Sequence, residues 1–356
     1  MRGPQKPPSI LTAPTAAGRS RLNVFVMVAL HIAGGAPVPS ARGRLLCPRQ
    51  AASRHSRLCF RILGSMSART SARFHLILAA VLWSTSGVIL KSVPSVHWIA
   101  IAGLRSLFAC LLFLPGLALP RPPARVLVPV VLLYSVLVTS LMGSMQLGTA
   151  AQGIWLQYIA PTLVALWVWL VQRQRPRPSE VAAVLLTVVA VGFIVAGGSG
   201  PQHEQSLILG IISGIAFGAF ILVLKALSPI PPASVHLWAN AGTAAIALSA
   251  AAALHVPFPR TAPDLGLLAL MGVGQLALAY HFFMRGLART RAVEASIIVL
   301  LEPILNPVWV YLVVREVPTP RVIVGCALIG VALVAFALAP AREPAARAAP
   351  AGDETG

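Results

Sequence analysis

From residue 74 onward the chain alternates long apolar runs with short polar breaks. Ten runs can be marked, at roughly 74–93, 96–118, 126–147, 150–171, 180–198, 206–227, 233–254, 264–285, 291–314 and 320–338. Each is long enough, or nearly so, to cross about 30 Å of hydrocarbon at about 1.5 Å per residue. The breaks carry turn formers: Pro94, Pro120 with Pro122 and Pro123, Pro176 with Pro178, Gly197-Gly198 through Pro201, and Pro229 through Pro232. The pattern predicts an all-α integral membrane protein with ten transmembrane helices.

The run at 291–314, with the polar hinge after it, occurs twice. Shifted by 142, residues 150–190 lie over 292–332 without a gap. Pro161 falls on Pro303, Trp167 on Trp309, Arg173 on Arg315, and Pro176 and Pro178 on Pro318 and Pro320. Apolar composition inflates matches among Leu, Val and Ala, but it does not align four pairs of Pro and Trp. Upstream, Ser95-Val96-His97 recurs as Ser234-Val235-His236. The chain is an internal duplication, with a first repeat at 74–198 and a second at 206–338. Five helices per copy is an odd number, so the second copy enters from the opposite side and the repeats are inverted, a common transporter plan.

Composition agrees with a polytopic membrane protein: 57% hydrophobic, 10% charged, and a mean hydropathy of +0.81. The formal charge of +19 could suggest a nucleic-acid binder. However, twelve of the 28 basic residues lie in the first 73, most others sit at the ends of apolar runs, and no basic face interleaved with aromatics is visible. Nucleic acid is therefore not an expected partner. With the N-terminus cytoplasmic, the inside segments after Met66 hold thirteen Lys and Arg and the outside segments hold four, so both termini are expected inside.

Residues 1–65 are rich in Arg, Pro, Ser and Ala and contain no acid. This basic tract could be a transit peptide or a signal sequence. The favoured reading is that it is disordered and that translation begins at Met66, because nothing in it has the periodicity of a folded element. The tail at 339–356 is Ala/Pro-rich and expected to be disordered. Of the four cysteines, Cys110 and Cys326 lie inside apolar runs, and Cys47 and Cys59 have no CxxC spacing, so no metal or disulfide framework is expected.

Leu301-Glu302-Pro303, the hinge Arg315-Glu316, and the following Gly325 and Gly330 resemble the second EamA unit of the drug/metabolite transporter superfamily. Trp83, Arg105 and Pro161 are similar to the corresponding unit in the first copy. The resemblance covers about 74–338. It implies ten helices, both termini inside, and export or exchange of small organic solutes, here across a bacterial inner membrane. The first copy departs from the pattern, with Ala160 where Glu302 sits and Gln174 where Glu316 sits.

Glu302 lies eleven residues into its run, about mid-membrane. It reads either as a proton-titrating or substrate-contacting carboxylate or as a hydrogen-bond partner for backbone freed by Pro303 and Pro307. Asn306, one turn on, could share a polar site with it. Pro161, Pro303 and Pro307 each remove a ladder hydrogen bond and expose a carbonyl, which lines a cavity in some membrane helices and makes a plain kink in others. Arg105 could attract an anionic substrate group, or it could snorkel or hold helices together. Trp155, Tyr158, Tyr280 and His281 could line an aromatic cavity, though Trp and Tyr near helix ends are often interface anchors. Glu294 and Glu316 read as boundary charges, and Gly210, Gly214 and Gly218 as a stripe for close helix packing.

No P-loop, GxSxG, HExxH or paired-carboxylate arrangement is present, so no enzyme activity, cofactor or metal is expected. The expected partners are a small-molecule solute and the lipid bilayer, with a homodimer left open. The reading is a secondary transporter working by alternating access, with proton coupling open. An integral-membrane enzyme or a structural membrane subunit is the alternative.

Overall fold

The computed structural model describes residues 68–226, 231–290 and 292–338. The basic tract 1–65, the start at Met66 and the tail 339–356 lie outside them. Every regular element among the described residues is a helix. The first run is α1a (Ala68–Ser84) and α1b (Ser86–Lys91). It is followed by α2 (Trp98–Phe113), α3 (Ala124–Leu147), α4a (Ala150–Gln157), α4b (Ala160–Leu170) and α5 (Pro178–Val195). The second half holds α6 (Pro201–Ala226), α7 (Pro232–Ala253), and α8a (Ala262–Ala269), which runs through a π-helical stretch, Leu270–Leu278, into α8b (Ala279–Leu287). It closes with α9a (Ala292–Val299), α9b (Leu301–Val314) and α10 (Pro320–Leu338).

Nine segments among the described residues are long and apolar enough to cross a membrane. The helix outside that set is α7, which has the length, 22 residues. Its stretch is diluted by His236, Asn240 and Thr243, all buried. Outward faces are apolar where a water-facing helix would be polar: Leu185, Val188 and Val189 on α5, and Ile304, Val308 and Tyr311 on α9b, are exposed.

The two breaks in α4 and α9 have one cause. Proline has no N–H to offer the carbonyl four residues earlier, and its ring crowds that carbonyl. Pro161 so frees Gln157 and Pro303 frees Val299, and the helix yields at Tyr158-Ile159 in one copy and at Leu300 in the other. These positions correspond under the 142-residue shift. So do Arg173 and Arg315, left-handed residues (φ 52° and 61°) that follow the two helices.

Helix pairing runs between the halves: α3 on α6 and α1a on α8b, α3 on α7 and α2 on the π stretch, α4a on α6 and α9b on α1a, with α2 on α7 and α5 on α10. Gly210 and Gly214 let α6 lie directly on the break in α4. A Cβ at Gly210 would stand 2.5 Å from Leu156, and one at Gly214 would stand 2.6 Å from Ile159. The glycine stripe thus has the close-packing use expected of it.

Candidate functional site

Arg105 is carried by the eighth position of α2, and its depth in the molecule follows from how tightly α8 packs there. Gly272, in the π stretch, lies against the α2 backbone, where a Cβ would come within 2.5 Å of the Arg105 carbonyl oxygen and 2.6 Å of Phe108 Cβ. The approach leaves Arg105 only 5% exposed, and its Nε and Nη1 have no hydrogen-bond partner in the protein. The wider π turn also aims Gln275 inward, where Nε2 donates to the Trp83 carbonyl at 3.1 Å.

Arg105 and Glu302 line one cavity of about 80 Å³. Tyr158, at the break in α4, donates its hydroxyl to Glu302 Oε2 at 2.8 Å. The break in one repeat therefore supplies the donor, and the turn after the break in the other supplies the acceptor. Polar lining comes also from Gln157, Gln275 and Ser86. The apolar walls are half aromatic, Trp83, Tyr134, Phe217, Phe220 and Tyr280, and half aliphatic, Leu137, Val138, Leu141, Ile154 and Leu276. Tyr280 is held by Trp83 edge-on at 5.0 Å and by His236 of α7 at 4.1 Å between ring centroids. The volume holds a few waters; small-molecule sites are several times larger.

Of the residues singled out from the sequence, Glu302, Arg105, Tyr158 and Tyr280 meet in this cavity. Asn306 does not join Glu302 there. It is fully buried against the break in α1, where Nδ2 donates to the Ser84 carbonyl at 3.1 Å and to Ser86 Oγ at 3.2 Å. Trp309 Nε1 donates to Ser84 Oγ at 2.8 Å in the same place, so α9b holds the interrupted α1 through two side chains. Trp155 turns toward α10, where a Cβ at Gly330 would be 3.3 Å from its ring, and His281 is exposed. Pro161 and Pro303 follow the two breaks, and Pro307 lies inside α9b.

The boundary acids have defined partners. Glu316 pairs with Lys91 at 2.7 Å, and its Oε1 accepts from the Ala150 backbone N–H at 2.7 Å, capping α4. Lys91 Nζ also donates to the Gly148 carbonyl at 2.7 Å. Glu294 pairs with Arg73. These two pairs tie α1 to α9 at start and end, so the helices run parallel.

Sequence reasoning missed Tyr134, Gln157, Gln275, Phe217 and Phe220 as lining residues. Gln275 carried a usable signal, an amide inside a long apolar run. The phenylalanines carried none, since nothing in an apolar helix marks which face meets a cavity.

The EamA-like transporter family matches the chain twice, over residues 70–196 and 205–338. An uncharacterized transporter of Bacillus subtilis (strain 168), YwfM, is 23% identical over 192 residues, which is 53% of this chain and 65% of that protein. The chain therefore matches somewhat under two thirds of that relative's length. A crystal structure of another protein, 19% identical, shares the fold with a TM-score of 0.55 over 76% of this chain and 98% of that one. The two family matches fall on the two halves that carry the matched proline breaks and together span most of the chain; this protein belongs to the EamA-like transporter family.

Proposed function

We propose that the chain is a secondary transporter that exports or exchanges a small organic solute by alternating access, with a proton as the coupling ion. The observation that carries the reading is the shared cavity, because its two hydrogen-bonded members, Tyr158 and Glu302, come from matched breaks in different repeats. A site between two halves is where rocking one half against the other opens first one face and then the other. The cavity is too small for a metabolite, so a solute enters only as its walls part.

Ten crossings in two inverted five-helix repeats are part of this proposal. The pairing of helices supports it, since exchanging α1 to α5 with α6 to α10 maps the main pairings between the halves onto one another: α3 on α6 becomes α1 on α8, α3 on α7 becomes α2 on α8, and α4 on α6 becomes α1 on α9. The thirteen-to-four distribution of basic residues supports cytoplasmic termini, and a bacterial inner membrane is the membrane proposed. No enzymatic step is assigned.

Glu302 is the coupling group in this scheme, standing in the cavity in one copy while the other has Ala160. Glu302→Gln keeps the shape and removes the charge change. In proteoliposomes, flux driven by a proton gradient should fall to background in this variant, while solute exchange without a gradient survives. A Glu302→Gln protein that still concentrates solute against its gradient would remove the coupling role.

A further inference from the structure

The buried guanidinium of Arg105 defines what chemistry the cavity accepts. Burying a charge costs several kcal/mol unless a partner compensates it. Among the described residues no carboxylate forms a salt bridge with Arg105. It lies 5% exposed with Nε and Nη1 unpartnered, on the wall of a cavity whose apolar lining is shared between aromatic rings (Trp83, Tyr134, Phe217, Phe220, Tyr280) and aliphatic side chains such as Leu137 and Ile154. A guanidinium fork is matched in geometry to a planar carboxylate, which takes two parallel N–H···O bonds. Flat aromatic walls fit a planar unsaturated body.

Glu302 adds a constraint. Its carboxylate faces the same space and already accepts from the Tyr158 hydroxyl. The other titratable groups facing it are Tyr158 from α4, Tyr134 from α3, Tyr280 from α8b and Arg105 from α2. The helices α1 and α6 bring Trp83, Ser86, Phe217 and Phe220, which do not titrate. Arg105 and Glu302 therefore set the cavity's charge: neutral when Glu302 is ionised, positive when it is protonated. An anionic solute entering beside ionised Glu302 would leave two negative charges on one guanidinium in a low-dielectric space.

We infer that the solute is an organic monocarboxylate with a planar apolar body, held by Arg105, and that each anion binds together with one proton taken up by Glu302. The inference rests on the transporter reading and specifies its substrate class. The balance is simple: the anion brings one negative charge, the proton from bulk solvent neutralises Glu302, and the loaded site is neutral. Anion and proton then cross together, so an acid accumulated inside leaves down its own gradient and carries its proton with it.

The test uses the purified full chain in lipid nanodiscs with benzoate as probe, and benzamide, benzylamine and phenylalanine for comparison. Calorimetry in buffers of differing ionisation enthalpy reads both affinity and protons exchanged. Benzoate should bind at least about tenfold more tightly than the other three, taking up about one proton. Glu302→Gln should bind benzoate with no proton uptake. Arg105→Gln should weaken benzoate by about tenfold to a hundredfold, as expected for losing charge-assisted hydrogen bonds, and Arg105→Lys should fall between. Benzamide, benzylamine or phenylalanine binding as well as benzoate would overturn the inference. So would benzoate binding without proton uptake by the unaltered chain, and that measurement needs no variant to fold. Benzoate that binds with its proton but crosses vesicles holding the protein no faster than protein-free vesicles would overturn the transporter reading alone. Proton-coupled flux of benzylamine in place of benzoate would keep the transporter reading and sink this one.

Discussion

Tyr158 and Glu302 stand 144 positions apart in the chain and 2.8 Å apart in the fold, hydroxyl to carboxylate. Tyr158 sits at the break of α4 and Glu302 just past the matching break of α9, so the bond joins the two repeats at their most irregular points. A hydrogen bond to a charged acceptor contributes about 1.5–3 kcal/mol, more than an ordinary one. Tyr158→Phe should lower stability by about 1–2 kcal/mol in lipid or detergent melting. The double variant with Glu302→Gln should cost less than the two single losses combined, because they remove one interaction. Strict additivity would mean that the two groups act separately.

The Lys91–Glu316 pair has a second duty at each end, and this sets how it responds to mutation. Glu316→Gln leaves an oxygen that can still cap the Ala150 N–H but removes the charge from both the pair and the helix N-terminus. The side chains are 17% and 18% exposed, so the pair is largely shielded from solvent and its loss should cost about 1.5–3 kcal/mol, the range for a hydrogen bond to a charged group. Exchanging the two residues, Lys91→Glu with Glu316→Lys, should not restore stability. A glutamate at 91 cannot donate to Gly148, and a lysine at 316 cannot accept from Ala150. Full recovery by the exchange would reduce the contact to a simple charge pair.

Gly272 controls the approach of α8 to α2 beneath Arg105. Gly272→Val would drive side-chain atoms into the Arg105 carbonyl and Phe108, both within 2.6 Å of a Cβ. Overpacking of this kind costs about 1–3 kcal/mol. Solute flux should fall with it, because Arg105 would be displaced from the cavity. Gly266→Ala is the control, since nothing lies within 4 Å of its Cβ position. Equal behaviour of the two variants in melting and flux would remove the close-approach argument.

The crossing of α7 is decided by one accessibility measurement. A cysteine placed at Arg260, between α7 and α8a, in a background lacking native cysteines, should react from the external side with a membrane-impermeant maleimide. A cysteine at Gly200, between α5 and α6, should report the same side, because two crossings separate them. Labelling of position 260 from the cytoplasmic side alone would leave α7 uncrossed and put the two halves' termini on opposite faces.

Much of the architecture was legible in the residues because it is set by local chemistry. Apolar run length marks the helices, and proline at 161 and 303 marks candidate points where α4 and α9 yield, since a missing N–H has its effect within one turn, although Pro307 and Pro129 lie inside helices that do not break. The glycine stripe on α6 could be read as a packing face for the same reason. The fate of individual polar side chains was not local. Asn306 shares a helical face with Glu302 in any periodicity argument, yet it serves the break in α1, 222 positions away. The break at Thr85 has no proline to announce it, and α9b reaches it only in the folded molecule. That Arg105 shares a cavity with Glu302 while its Nε and Nη1 lack a partner, and that Phe217 and Phe220 wall the same space, depended on which helix faces met. Burial, partners and cavity shape are properties of packing between distant segments, and an apolar sequence carries no mark of which of its faces will be turned inward.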